Sequence, residues 1–402
     1  MIESGTYTGI IGTPSGNSYK SLTINGGTFS GLTSLNSFYG KDNDVAKLVI
    51  SGGTFNVEPA SKYIDDGYYA ELNEYGKYEV KRATKWIQLA DTSWYEGHES
   101  VDSYSISTPE ELAGLAKLVN SGIDDFKNKT VNLTANIDLS GLDWTPIGGA
   151  GSGKHFSGTF DGANDGVIYT ISNMRAVNNV QYGNGFFGDT IGATIKNIKF
   201  TNAFVSANSN PVYSGNVYGI VAGYSYGETL FENVHVRDSV ISGYGKVGAI
   251  LGMAGDPGNH NTKFNNCTVD SVDMYGVYDV GGLAGLVQNK LIISGDNTSV
   301  TNLNWKQSLN DTYVTLTTAY VKEDEKNPVT KEVCFLSNKP VSGVYWDYGN
   351  YLYGGFAKYA VMYGTPAHDC TLTGNYSGYY LANMERVIDD LNQLSSLNNP
   401  WK

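Results

Sequence analysis

The sequence predicts an all-β chain, a right-handed parallel β-helix (β-solenoid) with short capping helices. Three observations predict it. A Gly-Gly-Thr-Phe motif recurs at a period of 26 residues near the start, and a paired glycine and asparagine motif recurs four times between residues 185 and 303. Gly is abundant, 49 of 402 residues, while Pro numbers only 10. That balance marks tight turns in an ordered β protein, since disordered linkers are usually Pro-rich and poor in aromatics.

Residues 1–82 read as the first array. Ser21–Ser30 recurs as Lys47–Asn56, so that Leu22 maps to Leu48 and Ile24 to Ile50, and a weaker copy begins at Ser4-Gly5-Thr6-Tyr7. Each copy alternates apolar and polar positions, turns at Gly-Gly and re-enters with Thr-Phe or its equivalent. Alternation means a strand with one buried face, and paired glycines permit a sharp corner. A period in the twenties fits one coil, stacked on the next at about 4.8 Å. Residues 64–72 and 77–80 then read as a hairpin around Asn73-Glu74-Tyr75-Gly76 that closes the array. A linker is expected at 83–105.

The segment 106–305 reads as a second solenoid with a cap helix at its start. In Ser107–Gly122, Thr108 is placed as N-cap, Pro109 at the first helical position and Glu111 to complete a capping box. Leu112, Leu115, Ala116 and Val119 form its apolar stripe. Such a helix would shield the open strand edges at the end of a solenoid. The recurring glycine segments begin at Gly185, Gly219, Gly248 and Gly281. The strands that follow carry Asn197, Asn233, Asn266 and Asn302, spaced 36, 33 and 36 residues apart. Residues 306–402 form a Tyr-rich C-terminal region, with a second cap helix expected at 383–394.

The Gly281-Gly-Leu-Ala-Gly285 type segments, with their Ile-x-Asn strands, resemble the GLUG repeats of large bacterial surface proteins, among them the immunoglobulin A peptidases of Gram-positive bacteria. The lead-in with Asn136-Ile-Asp-Leu139, Trp144-Thr-Pro-Ile-Gly148 and Phe160-Asp-Gly162 is similar to the opening of such arrays. Residues 3–82 resemble the Gly-Gly-Thr-Phe repeats of the same kind of protein. The resemblance implies an extracellular parent held at the cell wall, with leader and anchor outside this segment.

Composition narrows the function. Formal net charge is -13 with only 27 Lys and Arg, so neither nucleic acid nor an anionic membrane surface is an expected partner. No apolar run is long enough to span a bilayer. The cysteines Cys267, Cys334 and Cys370 are odd in number, which argues against a disulfide framework. Cys267 suits a small buried position; a Cys334–Cys370 bridge remains open. Of His98, His155, His235, His260 and His368, none has a ligand partner at i+3 or i+4, and there is no His-Glu-x-x-His. His235 alternates with Val234 and Val236 and is expected to face solvent. No metal or cofactor is expected.

Two readings compete. The first is a non-catalytic, monomeric, adhesin-like binding module that recognises a secreted host glycoprotein, immunoglobulin or mucin. It rests on tyrosines, which combine rigid contact area with a hydroxyl. One group is Tyr345, Trp346, Tyr348, Tyr351 and Tyr353, with a minidomain core as the structural alternative. The other is Tyr224, Tyr226, Tyr244, Tyr275 and Tyr278, expected as a row along one edge of the coils or as stacking on their exterior. The second reading is a polysaccharide lyase or glycoside hydrolase, which needs converging carboxylates such as Asp138, Asp143 and Asp161, or Asp270 with Asp273. Those residues equally suit turn capping. A passive stalk is the remaining alternative.

Overall fold

A computed structural model describes residues 1–8, 21–30, 47–149, 153–177, 183–206, 216–243, 246–255, 260–276, 279–287, 290–294, 297–307, 312–321, 352–353 and 371–372. The expected parallel β-solenoid is the fold, arranged in two compact units, residues 1–89 and 90–402. The expected helix at 383–394 and both Cys334 and Cys370 lie outside the described residues.

In the first unit the strands Ser21–Phe29 and Lys47–Phe55 pair in parallel, with Leu22 opposite Leu48, Ile24 opposite Ile50 and Phe29 opposite Phe55. Thr6–Tyr7 adds a rung against Thr28–Phe29. The sequence motif explains each position. The first glycine has no room for a side chain, since a Cβ on Gly52 would stand 2.0 Å from the Asn25 carbonyl oxygen. The second takes a positive φ, 108° at Gly53, which a side chain would strain. The aromatic position then turns inward: Tyr7, Phe29 and Phe55 stack at 5.0 and 4.8 Å. Ile24 and Ile50 are fully buried beside them, and each such side chain contributes roughly 1.5–3 kcal/mol. The hairpin Tyr68–Leu72 with Tyr78–Arg82 lays its second strand antiparallel on Lys47–Phe55, pairing Gly53 with Val80 and covering that strand's open edge.

The second unit begins with the helix Pro109–Asn120. Thr108 accepts from the Glu111 amide while Glu111 reaches back to the Thr108 amide, the capping box read from the sequence. Within the stretch 83–105 expected to link, Trp94, Tyr95 and Tyr104 pack together while residues 96–103 are exposed. The Trp94 indole nitrogen donates to the carbonyls of Asp91 and Glu111, and Tyr95, Tyr104 and Phe126 gather around its ring at 5.2–6.1 Å. Ser103–Ile106 pairs in parallel with Thr130–Leu133, so this cluster is the closed end of the solenoid.

Three parallel ladders follow. One holds the long strands Thr194–Thr201, Thr229–Gly243, Thr268–Gly276 and Thr298–Gln307. A second holds Gly183–Asn184, Val217–Gly219, Lys246–Gly248 and Asp279–Gly281. A third holds Phe187–Ile191, Ala222–Tyr226, Leu251–Ala254 and Ala284–Val287. Phe160, Phe186, Phe187, Phe200, Phe231 and Phe264 fill the interior, all fully buried. The glycine segments stand in columns, Gly219 opposite Gly248 opposite Gly281. A Cβ on Gly219 or Gly248 would stand 2.0 Å from the carbonyl oxygen of Ala222 or Leu251, so the second and third ladders meet too closely for any side chain.

The asparagines form a ladder, with one correction. The Asn233 amide donates to Asn197 Oδ1 at 2.9 Å, and Asn197 donates to Asp161 Oδ1 at 3.0 Å. Asn197, Asn233 and Asn266 all take the left-handed conformation, φ 51–53°. Asn302, expected as the next member, is not in this column. Val300 pairs with Val269 and Leu303 with Val272, which sets Asn302 level with Ser271. Ile293, paired with Phe264, continues the motif instead. A 36-residue spacing matched by coincidence while the coil itself had shortened. Cys267 is fully buried as expected; burial pushes its thiol up to about 12. His235 is not free in solvent: it is half-buried with its ring nitrogen 2.8 Å from Thr268 Oγ1 in the next rung, and burial, then Lys199, holds it below the ordinary histidine value.

Candidate functional site

The third ladder carries two aromatic side chains side by side on its outer face. Ala222–Tyr226 is extended, so Tyr224 and Tyr226, two residues apart, share a face. Their rings meet at 4.1 Å between centroids. Tyr226 is 38% exposed and stands opposite Ile191, itself 37% exposed, on the preceding rung. Tyr224 stands opposite Met253 on the following rung. Its hydroxyl lies close over Gly255, where a Cβ would stand 1.8 Å from the oxygen. Ile191, Tyr224, Tyr226 and Met253 thus make a small apolar ledge edged by phenol hydroxyls, suited to a partner that offers both apolar surface and hydrogen-bonding groups.

The remaining predicted residues divide. Tyr275 lies on Thr268–Gly276, in the first ladder, opposite Ser242 and Lys306, and so on a different sheet from Tyr224 and Tyr226. The expected single row is therefore not what the topology builds. Tyr353 pairs antiparallel with Leu286, which continues the third ladder. Tyr244, Tyr278, Tyr345, Trp346, Tyr348 and Tyr351 lie outside the described residues. Sequence reasoning missed Ile191, whose signal was present: it follows the glycine segment of the first copy at the offset Tyr226 has in the second.

The carboxylates named for polysaccharide chemistry serve the coil. Asp138 accepts from the Ser140 amide and the Asn173 side chain, and these bonds hold it below the usual carboxylate range. Asp143 pairs with Arg175. Asp161 accepts from the Ala163 amide, heads the asparagine ladder and pairs with Lys196 at 3.0 Å. Asp270 and Asp273 stand level with Arg237 and Val240 of the preceding rung. Among the described residues no three His, Cys, Asp or Glu side chains come together as a metal-ion site.

Comparison with known proteins places the chain near one kind of relative. It is 26% identical over 180 residues, 44% of its length, to the "Immunoglobulin A1 protease" of Streptococcus pneumoniae, and 25% identical over 175 residues, 43% of its length, to that of Streptococcus sanguinis. The match covers 8% of each relative's length. No family model and no solved structure matches the chain. The expectation that the chain is no enzyme is corrected by these relatives: the proteins with which it shares sequence are named as proteases.

Proposed function

We propose that the chain is a GLUG-type repeat module of an extracellular, wall-held relative of the immunoglobulin A1 proteases, and that it engages the host glycoprotein on which such a protein acts. The carrying observation is the match to two streptococcal immunoglobulin A1 proteases over 44% and 43% of the chain, together with the exposed ledge of Ile191, Tyr224 and Tyr226. A rigid solenoid holds such side chains at fixed spacing, so little freedom is lost on binding. Immunoglobulin A1 is the first partner to test and mucin the second. The C-terminal group Tyr345, Trp346, Tyr348, Tyr351 and Tyr353 is the second set to test by substitution.

The test is biosensor binding of the full chain to immobilised immunoglobulin A1, with mucin in parallel. Micromolar binding that weakens at least tenfold in the Tyr224→Ser/Tyr226→Ser double variant supports the reading. Absence of binding to either glycoprotein overturns it, and unchanged binding in the double variant removes the ledge from the site.

A further inference from the structure

Asp189 is the only carboxylate among the described residues with less than a tenth of its surface exposed, 9%. Its rung neighbours are Tyr224, Met253 and, further along, Leu286, so the column accepts apolar side chains and the first coil places an acid in it. Its Oδ1 is buried without a hydrogen-bond partner. The slot is built from three segments. Gly183 lies so close that a Cβ there would stand 2.6 Å from Oδ1, and a Cβ on Gly148 would stand 2.4 Å from the Asp189 carbonyl oxygen. The Phe156 amide donates to that carbonyl at 3.1 Å, while Gly188 donates to Ile147 and Ile191 to Phe156.

The titratable groups on the packed segments do not compensate the acid. The His155 ring is 3.8 Å from Asp125, Lys154 lies against Gly122, and Tyr224 belongs to the next rung. Burial alone raises the Asp189 carboxyl, to about 7.

We propose that Asp189 is a pH-responsive latch: protonated, its carboxyl seats in the slot beneath Gly183 and closes the first glycine coil, and ionised, it favours release of the 147–148, 156 and 183–184 segments from the strand Phe187–Ile191. The sign follows from linkage. An opened coil ionises at the ordinary aspartate value of 3.8, while the closed coil keeps its proton up to about 7. Closure is therefore strongest below about pH 4, weakens as pH rises to 7 and is flat above. Three pH units correspond to a change on the order of 10³-fold in the closing equilibrium.

Hydrogen exchange of the full chain at pH 5 and pH 8, corrected for the intrinsic rate, tests this at the amides of Phe156, Gly188 and Ile191. In the native chain their opening should rise by about 90-fold, and Asp189→Asn should abolish the rise. A ¹³C titration of the native carboxyl needs no variant and should show a midpoint near 7. An equal rise in Asp189→Asn, no rise in the native chain, or a carboxyl midpoint below pH 5 would each overturn the latch.

Discussion

The two units make coils from the same repeat principle but hold them together differently. In the first, the paired rungs are 22 and then 26 residues apart, with a local irregularity around Asn25. One column of rings carries the core, with Ile24 and Ile50 beside it. In the second, the paired rungs are 36, 33 and then 29 residues apart, yet the columns persist. Three ladders share the load there, and the glycine columns and asparagine corners fix where each begins. Among the described residues of the first unit one column of rings carries the stack, so no other described ladder supports a rung that loses its ring. A three-ladder stack holds each coil at several points, because each corner is fixed by its own hydrogen bonds and close approaches.

If that contrast is right, the first unit should be the more fragile to loss of one ring. Phe29→Ala removes the middle member of the Tyr7–Phe29–Phe55 stack and should cost about 4 kcal/mol. Phe231→Ala, with Phe264 stacked on one side at 5.1 Å, should leave the second unit folded. Circular dichroism melts with proteolysis of each variant would read this. Equal loss in both units would refute the contrast.

Gly248→Ala attacks the other kind of support. Its Cβ would meet the Leu251 carbonyl oxygen at 2.0 Å, and the crowding should cost about 3 kcal/mol, confined to the second unit. Loss of amide protection along Leu251–Ala254 and Ala284–Val287 is the expected signature.

The smallest effect should come from the asparagine corner. Asn233→Ala forfeits the bond to Asn197 and places alanine at φ 51°, for about 2 kcal/mol. Asn233→Gly relieves the strain but not the lost bond, so its denaturation midpoint should fall between the two. If both substitutions cost the same, the corner is held by something other than backbone conformation.

Much of this arrangement was written locally in the chain. The Gly-Gly-Thr-Phe copies, the capping box at Thr108 and Glu111, and the glycine columns each answer a need that one rung or one turn imposes, so each leaves a pattern within a few residues. The ledge was half legible. Tyr224 and Tyr226 are neighbours in sequence and in space, whereas Ile191 joins them only because its rung lies alongside.

What the sequence determined by itself was the coil: alternation that buries one face, glycines where backbone approaches backbone, and rings that stack on their own copies. What only the tertiary structure decided was the alignment of one coil with another. Asn302 stands level with Ser271, Tyr275 sits on a different ladder from Tyr224, and Asp189 enters a column of apolar side chains. Counting residues between motifs cannot reveal these placements, because coil length varies while the ladders register only the residues that pair.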